Sequence, residues 1–170
     1  MLTIKGWLIY GHPLFLDQVE RLTAAVEKER TRDPKNYLRS SNTKLLASIY
    51  KLAFEQIPDD PSLPIYRQGV TLGADRKHWF RAKFGGQRFR LFFRYRTNPN
   101  IIIYVWVNDR QTLRQYGAKT DAYAVFQSML AKGKPPDRWD ALIEACRTEA
   151  VQARLAKLEK DAASKDAEPD

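Results

Sequence analysis

The chain has 170 residues and a formal net charge of +9, is 44% apolar and 29% charged, and carries a single cysteine. That length suits one ordinary domain with a real core and is short for two. One cysteine excludes an internal disulfide framework and a cysteine-based zinc site, and no run approaches the roughly 18 apolar residues of a membrane span.

In chain order, residues 4–10 are apolar and aromatic and predict a strand that ends at His12-Pro13, proline being favourable at a first helical position. Phe15, Val19, Leu22 and Val26 then recur at helical spacing and predict a helix over 13–31 that stops before Asp33-Pro34. A second helix starts near Asn42, turns Leu45, Leu46, Ile49, Leu52 and Ala53 inward, and ends at Pro58. Residues 58–69, with three prolines, read as a loop, and Val70-Thr71-Leu72 as a short strand.

Two runs then alternate basic and apolar residues, 79–84 and 88–96, separated by Gly85-Gly86. Successive strand side chains point to opposite faces. Arg81 and Lys83 therefore share one face, joined by Arg88, Arg90, Arg94 and Arg96 from the second run. Phe80, Ala82, Phe84, Phe89, Leu91, Phe93 and Tyr95 point the other way. Asn98-Pro99-Asn100 is a turn, and residues 101–107 form a nearly continuous apolar strand of the kind found at a sheet centre. A polar loop spans 108–119. Thr120-Asp121 caps a helix with Val125, Phe126, Met129 and Leu130 inward, ended by Gly133. Trp139, Leu142, Ile143, Cys146 and Leu155 mark a final helix.

The expectation is an α+β fold, a mostly antiparallel sheet of about four to five strands with the helices on one face. Residues 1–146 make one domain, and 147–170 a charged helical extension that frays beyond about 160. The uncovered face is then the basic one. Residues 76–120 hold eleven Lys or Arg and one acid, Asp109. A localised basic patch is the footprint of a nucleic-acid binder. The start of the chain lacks a signal-peptide pattern, so the chain reads as cytoplasmic.

Binding alone and cutting share this charge. Metal nucleases need several carboxylates converging on hard cations, and the basic half offers only Asp75 and Asp109. A histidine pair would have to be His12 and His78, which flank different elements. His12 reads as a helix-start residue and His78 as a solvated strand-entry residue. What remains is a metal-free and cofactor-free route. RNA supplies its own nucleophile, the 2′-hydroxyl, and preorganised cations stabilise the charge that gathers on the nonbridging oxygens. Arg81, Lys83, Arg88 and Arg90 can clamp one phosphate. A crowd of cations disfavours the ammonium form, which makes Lys83 a candidate general base. The loop adds Arg114, Tyr116, Lys119 and, at the helix start, Tyr123. A tyrosine can protonate a leaving oxygen or stack on a base. Arg94 and Arg96 hold the RNA backbone or nothing. Trp79 stacks a base or caps an edge. Either Tyr104 and Trp106 or Ile103 and Val105 face the basic surface. A non-catalytic RNA or ribosome binder would use the same cations. A DNA-binding regulator would need them on a helix, and they lie on strands.

These runs, together with residues 106–109, 112–117 and 119–123, the Gly6-Trp7 start, His12-Pro13, the Thr43–Ala47 helix start and the 133–136 Gly-Lys-Pro-Pro segment, resemble the YhaV-type toxins of bacterial toxin–antitoxin systems. The resemblance covers residues 5–145. It implies a RelE-like fold and an mRNA endonuclease that inhibits translation, with the ribosome as its setting. It also implies a PrlF-like, swapped-hairpin (AbrB-type) antitoxin, through which the toxin meets operator DNA. By position it implies catalytic roles for Arg81, Lys83, Arg90, Arg114 and Tyr123. Arg88, Arg94, Tyr116, Lys119 and Trp79 are the matching candidates for RNA binding.

Overall fold

A computed structural model describes residues 1–166, with side chains to Ser164; residues 167–170, the end of the expected tail, lie outside the described residues. The elements run β1 (Leu2–Ile4), β2 (Trp7–Gly11), α1 (Pro13–Arg32), α2 (Ser41–Lys51), α3 (Ile57–Asp59), β3 (Phe80–Phe84), β4 (Phe89–Arg96), β5 (Ile101–Val107), α4 (Ala122–Ala131), α5 (Trp139–Cys146) and α6 (Glu149–Asp166).

The strands form one sheet in the order β1-β2-β5-β4-β3. The β2–β5 pairing is parallel and the other three are antiparallel. The predicted first strand is a hairpin instead, because Lys5 (φ 51°) and Gly6 (φ 83°) both adopt left-handed backbone, as a tight two-residue turn requires. The predicted strand at Val70–Leu72 is a turn. The buried Gln68 amide holds it, accepting from the Leu72 amide at 3.1 Å and donating to the Arg76 carbonyl at 2.8 Å. A loop folded round a buried amide leaves no free ladder for a strand.

The largest departure is that helices cover both faces. On one face Ile9, Ala82, Leu91, Phe93, Ile102, Tyr104 and Val107 pack under α1, α2 and α6. On the other, Tyr10, Phe92, Ile101, Ile103, Val105 and Trp106 pack under α4 and α5. Every residue of β5 is buried, as a central strand covered on both sides must be. Alternation along β5 also breaks. Phe92 pairs with Trp106 and Phe93 with Tyr104, which leaves Val105 as a bulge. The bulge turns Val105 and Trp106 to the same side. Tyr104 thus lies in the first core, its hydroxyl donating to the Ala53 carbonyl, while Trp106 lies in the second.

Local chemistry sets the helix ends. His12 caps α1 by accepting from the Leu14 amide through Nδ1, and Ser40, two residues before Asn42, caps α2 through the Thr43 amide. The predicted final helix breaks at residues 147 and 148, and α6 turns back to seat Leu155, Leu158 and Ala162 in the first core. Arg154 fastens α6 to Asp17 and Glu20 of α1. The segment expected to fray thus packs against the domain at least as far as Ala162.

Candidate active site

The basic face is half covered. Phe126 of α4 stacks on Phe92 (centroids 4.3 Å apart) and on Trp106 (5.6 Å), and meets Trp79 edge-on at 5.1 Å. This apolar contact seats α4 across the middle of β4. Beyond it, Arg94 is enclosed. Its guanidinium lies over the rings of Trp79 (5.1 Å) and Trp139 (5.5 Å) and donates to the Asp137 carbonyl. Burial draws its pKa down to about 10, against the opposing pull of Asp137. Trp79 is fully buried, and its indole N–H donates to the Asp137 carboxylate at 2.7 Å. Trp79 and the 9% exposed Arg94 are engaged together at the N-terminus of α5, where both bond Asp137. The cause is the tertiary cover, which strand parity does not report.

The candidates meet on the other half of the face, where Arg81 (9% exposed), Arg90 (4%) and Tyr123 (6%) are buried too. Tyr123 lies one helical turn before Phe126, so the packing that seats α4 also sets Tyr123 over the strands. Its hydroxyl oxygen accepts from Arg81 Nε at 2.8 Å and from Arg90 Nε at 2.9 Å. Arg81 and Arg90 stand on β3 and β4, and their remaining bonds fix them further. Arg81 Nη1 donates to the Ile65 carbonyl at 2.7 Å. Arg90 Nη1 donates to the carbonyls of Gln87 at 2.6 Å and Phe89 at 3.0 Å. Arg114, from the long loop, lies over the Tyr123 ring at 5.0 Å and the Tyr116 ring at 5.5 Å. Three guanidiniums therefore surround one phenol. Two accepted bonds fill the hydroxyl's lone pairs, so its proton is its one remaining hydrogen-bonding function.

Asp121 organises the loop. It is 4% exposed. Its Oδ2 caps α4 by accepting from the Tyr123 amide at 3.0 Å, and its Oδ1 accepts from Arg114 Nη1 at 2.6 Å and the Gln115 amide at 2.7 Å. Burial alone would raise its pKa; the Arg114 and Gln115 bonds outweigh burial and hold it below the usual carboxylate range. The sequence marks Asp121 only as a helix cap. Its second role, holding Arg114 over Tyr123, needs the loop to fold back, and no local pattern shows that.

The remaining candidates ring this centre. Lys83 is exposed and sits directly across from Arg90 in the β3–β4 pairing. The Arg88 side chain is exposed at the entry to β4, and its carbonyl accepts from the Arg114 amide at 2.9 Å. Tyr116, 91% exposed, presents the largest free aromatic face beside the site. Lys119 is exposed further along the loop, with no bonded partner among the described residues. His12 is sealed in its capping role, and His78 pairs with Asp137 at 2.9 Å, away from Tyr123. Among the described residues, no three His, Cys, Asp or Glu side chains gather where they could hold a metal ion, and no helix is long and apolar enough to cross a membrane.

Comparison with known proteins identifies a family. The YhaV toxin family, described as a toxin with endonuclease activity of a toxin–antitoxin system, matches residues 9–147. Toxin YhaV of Escherichia coli O6:H1 is 47% identical over 142 residues, covering 83% of this chain and 92% of that protein. Ribonuclease toxin YhaV of Escherichia coli strain K12 is 48% identical over 140 residues, covering 82% and 91%. No solved structure matches the chain significantly. The match spans β3, β4, the long loop and α4, the elements that bring Arg81, Arg90, Arg114 and Tyr123 together, and so this chain belongs to the YhaV family of toxins with endonuclease activity from toxin–antitoxin systems.

Proposed function

We propose that the chain is a ribonuclease with a RelE-like fold that cleaves mRNA at the Arg81–Arg90–Arg114–Tyr123 centre without a metal ion, and so inhibits translation. The observation that carries this reading is the Tyr123 hydroxyl held by two arginine Nε–H groups with its proton free. RNA as the substrate rests on the name of the relative from strain K12.

In the reaction, the 2′-oxygen of one ribose attacks the adjacent phosphorus as Lys83 takes the hydroxyl proton. The new bond is 2′-O–P, and the bond that breaks is P–5′-O. Tyr123 gives its proton to the departing 5′-oxygen, and the charge left on the phenol meets Arg81 and Arg90. The guanidinium edges not bonded to protein face the nonbridging oxygens, where one such donor is worth about 3–4 kcal/mol. Arg88 and Lys119 hold flanking phosphates, and Tyr116 stacks a neighbouring base. The products are a 2′,3′-cyclic phosphate and a 5′-hydroxyl. The setting is the cytoplasm, with mRNA presented on the ribosome, and the antitoxin is of the PrlF-like swapped-hairpin type.

The test is cleavage of a defined mRNA by the purified chain in EDTA, with and without ribosomes and translation factors. Cyclic or 3′-phosphate ends support the reading, and the condition that yields them reports ribosome dependence. Fragments with 5′-phosphate ends would overturn the 2′-hydroxyl route. Tight RNA or ribosome binding without cleavage in either condition would make the chain a non-catalytic binder.

A further inference from the structure

Where β5 ends, a buried side chain adds to the backbone pairing with β4. Asn108 is 4% exposed. Its Oδ1 accepts from the Arg90 amide at 2.7 Å, and its Nδ2 donates to the carbonyls of Thr112 at 2.7 Å and Arg88 at 3.2 Å. The Arg88 carbonyl is the same atom that the Arg114 amide reaches at 2.9 Å. Asn108 therefore clasps three backbone points, one on the residue that carries the Arg90 guanidinium, one two residues before it, and one at the root of the loop that delivers Arg114. Neither leucine, equal in size, nor aspartate, equal in shape, can make this set. The site needs one acceptor and two donors on a planar group, which only a primary amide supplies.

From this geometry we infer that Asn108 is a positioning residue for cleavage, acting by fixing Arg90 and the Arg114 loop on Tyr123; the inference rests on the catalytic reading of that centre. Asn108 touches no reacting atom. Its effect is on rate rather than RNA binding, because a displacement of about 1 Å in a charge aimed at the transition state can cost on the order of 100-fold, while flanking phosphate contacts survive.

The experiment is a double-mutant cycle of Asn108→Ala with Arg90→Ala, read as kcat and KM for a defined RNA, with melting curves on each variant. Asn108→Ala is expected to lower kcat about 10- to 100-fold with KM within about threefold, and to add little in the Arg90→Ala background. Gln18→Ala is the structural control. Gln18 bonds the Val107 carbonyl and Asp109, so its loss loosens the same segment without touching Arg90, and kcat should hold within about twofold. Should the alanine variant fail to fold, Asn108→Asp keeps the acceptor, loses both donors, and is expected to lose about three- to tenfold in kcat. Additive losses in the cycle, an equal loss in Gln18→Ala, or wild-type kcat in either Asn108 variant would overturn the role. If Arg90→Ala itself cleaves like the wild type, or the wild type does not cleave, the catalytic reading fails and the inference falls with it. Impaired Arg90→Ala beside unimpaired Asn108→Ala refutes this inference alone.

Discussion

Removing one oxygen, in Tyr123→Phe, separates the chemistry of the centre from its architecture. The ring keeps its edge contact with Phe92 at 5.7 Å, so the packing of α4 survives. Arg81 and Arg90 each lose one bond but retain those to Ile65, Gln87 and Phe89. Hydrogen bonds from charged donors contribute roughly 1.5–3 kcal/mol each, and partial rearrangement of the two side chains brings the net loss to about 2 kcal/mol. For a chain of this size that lowers Tm by about 4–8 °C and leaves the protein folded at 25 °C. Loss of a general acid lowers the rate by about 100- to 10,000-fold, equivalent to about 3–5 kcal/mol of barrier, so the chemical effect exceeds the stability effect. The assay is single-turnover cleavage at 25 °C, alongside thermal melting. A substrate whose scissile 5′-oxygen is replaced by sulfur isolates the role, because a thiolate leaves without protonation. It should restore cleavage by Tyr123→Phe and not by Arg81→Ala. Cleavage of the ordinary substrate by Tyr123→Phe within about threefold of wild type would refute the assignment of Tyr123 as acid.

Arg81→Ala is expected to permit growth on induction where the intact protein does not; equal toxicity would remove Arg81 from the catalytic set. Arg94→Ala should cost about 2–4 kcal/mol through loss of the Trp79–Trp139 stack and the Asp137 bond, seen as an earlier urea midpoint, with cleavage per folded molecule unchanged. Arg94→Lys keeps the charge without the planar stack and should not restore that midpoint. Burial lowers the His12 pKa to about 4, against the attraction of Asp17, so the folded state holds this ring neutral. Between about pH 6.5 and 4 the unfolded chain binds the extra proton, and stability falls as pH falls, by roughly 3 kcal/mol across the window. Urea titrations at pH 7 and 4.5 measure this slope, and His12→Asn, which keeps a capping oxygen, should flatten it.

Strand parity placed Arg81, Lys83, Arg90 and Arg94 on one face, and the structure agrees, since parity is a local property of the backbone. What parity cannot report is cover. That Arg90 bonds Tyr123 while Arg94 lies over Trp79 and Trp139 depends on Phe126, more than thirty positions away, stacking on Phe92. One clue to two-sided cover was nevertheless present. The run Ile101–Val107 has no polar residue, and a strand apolar on both sides needs a core on both sides. The β5 bulge was hidden because a register shift needs a partner strand to define it. The helix caps at His12 and Asp121 were visible because capping acts over three residues. The second role of Asp121 and the bonds of Asn108 were not, because their partners lie across a loop that closes only in the folded chain.

The parallel pairing of β2 with β5 has a consequence for synthesis. The strand made last occupies the centre of the sheet, and the strands on either side of it are made first. A chain grows and folds from its N-terminus. Until residues 101–107 are available, the β1–β2 and β3–β4 hairpins share no edge, and no strand ladder joins them. Tyr123 and Asp121 follow later still. A nascent chain thus carries Arg81 and Arg90 on an unanchored hairpin, and Tyr123 joins them only when synthesis is well past its midpoint.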